Sequence, residues 1–101
     1  MRRALERLIK TGFWPEGLWI RGTKLEILRM LSEGGAHGYE IWRRITSSGR
    51  RITPAAIYQH LRELESLGLV ERSVERVGRR VRMRYELTEE GRALLRSMKL
   101  S

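Results

Sequence analysis

Residues 51–70 read "RITPAAIYQHLRELESLGLV". Thr53 offers a side-chain oxygen to the free amides of a helix start, Pro54 fits the first helical position, where an N–H has no partner anyway, and Gly68 suits the end. Ile57, Leu61 and Leu64 recur at helical spacing and form one apolar stripe. At about 100° per residue, Ala55, Gln59, Arg62 and Ser66 fall on the opposite side. The spacing predicts a helix from Pro54 to just before Gly68, with one buried face and one polar face.

The segments on either side take their meaning from this helix. Upstream, "GTKLEILRMLSEGG" (22–35) predicts a helix capped by Thr23, with Glu26 returning the bond and Leu25, Leu28 and Leu31 facing inward. "AHGYEIWRRITSSGR" (36–50) predicts a second, shorter one, with Tyr39, Ile41, Trp42 and Ile45 on the apolar side and a Ser-Ser-Gly stop. Downstream of Gly68 the period changes from helical to alternating, so "LVERSVERV" (69–77) and "VRMRYEL" (81–87) read as two strands. A turn on Gly78 and Arg79 sets Val70 opposite Leu87 and Val74 opposite Met83 on the apolar face. Glu75 then opposes Arg82 on the other face.

Alternation turns Val81, Met83 and Tyr85 inward and gives Arg82 and Arg84 the outer face, while Arg79 and Arg80 project from the tip. Thr88 is expected to cap a last helix, with Glu89 and Glu90 at its positive end. That helix carries Leu94, Leu95 and Met98 with little left in the chain for them to pack on. At the front, Leu5, Leu8 and Ile9 suggest a short amphipathic helix, and "GFWPEGLWI" (12–20) adds Trp14 and Trp19 in a turn-rich link. The element order predicts a mainly α fold with a small antiparallel hairpin (α+β): a winged helix-turn-helix with flanking N- and C-terminal helices. Its parts are an N-terminal helix and aromatic linker over 1–20, the winged helix-turn-helix over 21–87 and a C-terminal helix over 88–101.

Composition narrows the partner. The chain of 101 residues carries a formal net charge of +9, and 18 of its 21 basic residues are arginine. A field of that sign attracts polyanions, and guanidinium suits bidentate contacts to phosphate and guanine. The absence of cysteine excludes disulfides, thiolate nucleophiles and sulfur-ligated zinc. His37 and His60 stand apart without paired carboxylates at useful spacing, so neither an enzyme nor a metal or cofactor site is expected. No stretch approaches the roughly 18 apolar residues of a membrane span, and a cytoplasmic protein is expected.

Three blocks resemble the PadR-like family of transcriptional regulators: "LEILRMLSEGGAHGYEIWRRI" is similar to its first two helices, "ITPAAIYQHLRELESLGLVE" to its recognition helix, and "GRRVRMRYELTEEGRALL" to its wing and the helix after it. The resemblance implies a homodimer on pseudo-palindromic double-stranded DNA, acting as a regulator with repression the expected sense. Where that family commonly has proline after the tyrosine matching Tyr58, this chain has Gln59, which restores an amide donor and can pair with adenine.

The expected DNA contacts are Thr53, Ala55, Ala56, Tyr58, Gln59 and Arg62 on the recognition helix and Arg79, Arg80, Arg82 and Arg84 on the wing. Gln59 and Arg62 are the base readers among them. Leu5, Leu8, Ile9, Trp14, Leu94, Leu95 and Met98 are the expected dimer contacts. Trp14, Trp19 and Trp42 could line a space for a small aromatic effector, although completing a small core is the favoured role. An RNA-binding or protein-interaction module is the alternative. Only Tyr58 among the aromatics lies near the proposed contact face, which disfavours RNA.

Overall fold

The computed structural model describes residues 20–99. Four helices and three strands follow one another as α1 (Thr23–Leu31), β1 (Ala36–His37), α2 (Gly38–Ser47), α3 (Pro54–Ser66), β2 (Val70–Val77), β3 (Arg80–Leu87) and α4 (Glu89–Lys99). This is the winged helix-turn-helix order. One core joins them: Ile27, Leu28 and Leu31 of α1 meet Ile41 and Ile45 of α2, Ile57, Leu61 and Leu64 of α3, and Leu69, Val70, Tyr85 and Leu87 at the base of the hairpin.

α3 forms as its sequence predicts. The Thr53 hydroxyl accepts a bond from the Ala56 amide at 3.1 Å, Pro54 occupies the first turn, and Ile57, Leu61 and Leu64 are buried. α1 departs from expectation at its start. Its N-cap is Gly22, at φ 62°, and Thr23 lies inside the first turn, where its hydroxyl accepts from Arg50 at 2.6 Å. The buried stripe of α1 is accordingly Ile27, Leu28 and Leu31, and Leu25 is only partly covered.

The hairpin register is the predicted one: Val70 pairs with Leu87, Val74 with Met83, Glu75 with Arg82 and Val77 with Arg80. Gly78 alone takes a positive φ in the two-residue loop, 64°, as a type II′ turn requires. β1 has no counterpart in the sequence reading. Its two residues pair antiparallel with β3 through Ala36–Tyr85 and His37–Arg84, giving a sheet of order β1-β3-β2.

Burial corrects the inward face of the wing. Tyr85 is buried, but Val81 is 58% and Met83 37% exposed, with Val74 opposite at 63%. Alternation orients these side chains to one face, but beyond Tyr85 the hairpin has run past the end of the core formed by the described residues, which leaves Val74, Val81 and Met83 exposed. Tyr39 is likewise exposed at the start of α2, where the apolar side of that helix overhangs the core.

α4 also finds more to pack on than the sequence suggests. Thr88 Oγ1 donates to the Gly68 carbonyl at 2.6 Å and accepts from the Gly91 amide at 3.1 Å, so one side chain caps α4 and ties it to the end of α3. A methyl group at Gly91 would collide with the Leu69 carbonyl, which is why the helix can lie so close to the strand. Leu94 and Leu95 enter the core of the same chain, against α1 and β3.

Candidate nucleic-acid interface

Because the inward side of α3 is spent on the core, the opposite side is free to meet a partner. Ala55, Gln59 and Arg62 are exposed there, Thr53 is exposed at the cap, and Ala56 and Tyr58 are half-buried. Tyr58 is turned toward α2. A Cβ at Gly38 would fall on its ring, so α2 can begin beneath Tyr58 only because position 38 lacks a side chain.

Tyr58 thereby becomes part of a groove of about 970 Å³ between α2 and the wing. Tyr39, Arg43, Arg44 and Ser47 line one wall, and Arg80, Val81, Arg82 and Met83 line the other. The α2 wall was not among the predicted contacts. Arg43 and Arg44 lie on the exposed side of α2, and their place opposite the wing depends on how the hairpin is set against that helix.

That setting has identifiable anchors. The His37 amide, at the start of α2, donates to Glu40 Oε1 at 3.4 Å, while His37 Nε2 lies 3.1 Å from Glu75 Oε2 on β2. His37 thus joins the helix start to the middle of the wing. Arg84 Nε donates to Glu86 at 3.0 Å and its Nη1 lies 4.0 Å from Glu75, so this arginine, half-buried, is engaged within the wing itself. Of the four predicted wing cations, Arg84 is the one already held.

The other three stand differently. Among the described residues, Arg79, Arg80 and Arg82 have no acidic partner within 4.0 Å, nor does Arg43, whereas Arg44 pairs with Glu33 at 2.9 Å. Unpaired guanidinium groups can take a phosphate without first giving up a bond.

The outer face of α3 is instead internally bonded. Gln59 Nε2 donates to Glu63 Oε1 at 3.1 Å, and Arg62 Nη2 donates to Gln59 Oε1 at 2.7 Å. Lys24 of α1 reaches across to Glu63 Oε2 at 2.6 Å and to His60 Nδ1 at 3.0 Å. Hydrogen bonds from Lys24 and then Gln59 hold the Glu63 carboxyl below the ordinary carboxylate range. Burial, then the Lys24 charge, pushes His60 below the ordinary imidazole value against the opposing pull of Glu63. Burial raises the Tyr85 phenol at the wing base.

The residues expected at a dimer contact fall partly inside and partly outside the described residues. Leu94 and Leu95 are buried within a single chain, because α4 folds back over α1 and β3. Met98 packs partly on the same core. Leu5, Leu8, Ile9 and Trp14, like Trp19, lie outside the described residues. Trp42 donates its indole N–H to the Ile52 carbonyl at 2.8 Å and is half-buried, which is the behaviour of a core residue. Among the described residues no cluster of three or more His, Cys, Asp or Glu side chains could hold a metal ion, and no helix is long and apolar enough to cross a membrane.

Comparison with known proteins gives this geometry a context. Residues 27–97 match the protein family described as "Transcriptional regulator PadR-like family". No curated protein matches the chain. Among solved structures the chain is similar to a PadR family transcription regulator from Clostridium difficile R20291, at 24% identity and a TM-score of 0.71, covering 77% of this chain and 83% of that one. A PadR family transcriptional regulator from Eggerthella lenta DSM 2243 is 29% identical, at a TM-score of 0.63 over 73% of this chain and 68% of that one. Bacillus subtilis PadR in complex with operator DNA shares the fold at 23% identity and a TM-score of 0.69, covering 82% of this chain and 49% of that longer one.

Proposed function

Since the chain belongs to the PadR-like family of transcriptional regulators, we propose that it is a sequence-specific, DNA-binding repressor that uses the exposed side of α3 in the major groove and the arginine-rich wing on the DNA backbone or minor groove. The observation that carries this reading is the contrast between the bonded polar tips of α3 and Arg79, Arg80 and Arg82 of the wing, which have no acidic partner among the described residues. Directional amide and guanidinium groups suit base edges, and free cations suit phosphates.

On this reading Gln59 and Arg62 read bases, Thr53, Ala55 and Ala56 let the helix start approach, and Tyr58 forms the floor between helix and wing. Arg43 on the α2 wall and Arg80 and Arg82 opposite it follow one phosphate strand along the groove. Arg84 acts mainly as an internal strut. Two subunits would engage a pseudo-palindromic site with half-sites roughly 10 base pairs apart. The subunit contact would fall to the N-terminal segment bearing Leu5, Leu8, Ile9 and Trp14, together with Met98.

Fluorescence-anisotropy titration tests this directly, with the DNA upstream of the chain's own coding sequence against a random duplex of equal length at about 50 and 200 mM salt. Binding to the upstream duplex is expected to be tighter by about a thousandfold or more, with both affinities falling steeply as salt rises. Absence of binding to either duplex would overturn the reading and favour a protein-interaction module.

A further inference from the structure

An amide side chain has a donor end and an acceptor end, and what lies beside each end determines which way it faces. Gln59 sits between a carboxylate that can only accept and a guanidinium that can only donate. Only one orientation satisfies both: nitrogen toward Glu63, oxygen toward Arg62, as observed at 3.1 and 2.7 Å. The flipped amide would set its carbonyl against Glu63 and its NH₂ against Arg62, losing both bonds. Surface bonds of this kind add little to helix stability. Their weight is therefore directional.

Glu63 is itself held from outside the helix. Lys24 projects from α1 to its other oxygen at 2.6 Å, and the Lys24 side chain is only 23% exposed. The Lys24 contact to His60 at 3.0 Å holds the ammonium from a second side. A chain of contacts thus runs from the scaffold to the tip: Lys24, Glu63, Gln59, Arg62. With one N–H and one lone pair taken by its neighbours, Gln59 keeps one donor and one acceptor for a base, in a set order along α3. Adenine shows an N7 acceptor beside an N6 donor in the major groove, and the other base pairs show different orders.

Resting on the reading of Gln59 and Arg62 as base readers, we propose that Glu63, braced by Lys24, is a specificity-determining positioning residue that sets the donor–acceptor order Gln59 presents to DNA. Glu63 touches no base. It acts by making one amide orientation preferred over the other. Replacing it with glutamine removes that preference, because a second amide can either donate or accept.

The probe is the tightest-binding duplex that the wild-type protein selects from a randomised pool, remade with each of the four base pairs at every position. Dissociation constants on this panel are measured by anisotropy for wild type, Lys24→Met, Gln59→Ala, Glu63→Gln and the double variant Gln59→Ala/Glu63→Gln. Gln59→Ala identifies the position that Gln59 reads. Glu63→Gln is expected to reduce the preference for the best base pair at that position by fivefold or more. The other positions and the random-duplex affinity should be held or slightly improved, which also reports that the variant is folded. Lys24→Met should shift the same position in the same direction, and the double variant should match Gln59→Ala alone. An unchanged four-way profile for Glu63→Gln, where Gln59→Ala alters it, overturns the inference and leaves the base-reading assignment standing. A profile that Gln59→Ala does not alter overturns both.

Discussion

α3 and the wing are both polar, exposed and facing outward, yet they are built on opposite plans. The helix has a filled core beneath its whole length, and its outer side chains are bonded to one another. The wing has a core beneath only its base, and the apolar residues of its outer half are exposed beside arginines without acidic partners among the described residues. Rigid support and fixed bond directions favour discrimination between bases. Free charge on a projecting hairpin favours strength of attachment to any duplex. On the proposed reading, these two tasks are divided between two adjacent elements.

The largest expected effect breaks the supported side. Leu61→Ala should destabilise the fold by about 2–5 kcal/mol, read from denaturant unfolding, because the side chain is fully buried and leaves a cavity. Removing the free charge should leave the fold intact and change binding instead. Substituting alanine for Arg79, Arg80 and Arg82 together should reduce the slope of log affinity against log salt by about 2.7, at about 0.9 for each lost phosphate contact, on specific and random duplexes alike. An unchanged slope would mean that the wing does not touch phosphate.

A smaller effect tests the brace behind α3. His60 is held below its ordinary value of 6.5, so as pH falls the unfolded chain takes up this proton before the folded one does. Stability should therefore be lost as pH drops from about 6.5 through the folded value, and His60→Gln should flatten that part of the Tm–pH curve. Glu63, held below 4.5, contributes stability that is lost as pH falls from about 4.5 through its folded value. Smallest of all, Met83→Ala should shift stability by no more than about 0.5 kcal/mol, the counterpart of Leu61→Ala on an unsupported strand.

Much of the architecture was legible because punctuation and period agree. Thr53, Pro54 and Gly68 bound α3, and the change of period after Gly68 identifies the strands and, with Gly78, their register. What alternation does not report is burial. It says that Val81, Met83 and Tyr85 share a face, but whether a core lies under that face depends on where α1 and α3 end in space. The two residues of β1 carry no period, and Thr23 has the chemistry of a cap while the glycine before it, which starts the helix by backbone geometry, offers no side chain. The outward residues of α3 were readable from helical angle. Their mutual bonding follows the i,i+3 and i,i+4 spacing of the same helix, whereas the brace behind it does not, since Lys24 lies 39 positions before Glu63 and has no patterned relation to it. The α2 wall of the groove was hidden for the same reason, because its place opposite the wing depends on how distant segments are set in space.

The fit of Tyr58 over Gly38 links two segments that are otherwise read separately, the start of α2 and the middle of α3. Any side chain at 38 displaces the ring, and any smaller residue at 58 leaves a gap above the glycine. Among descendants of this gene the two sites are therefore expected to drift as a pair, so that a lineage replacing Gly38 with alanine would already have exchanged Tyr58 for something smaller, and would have altered the floor of the groove between α2 and the wing in doing so.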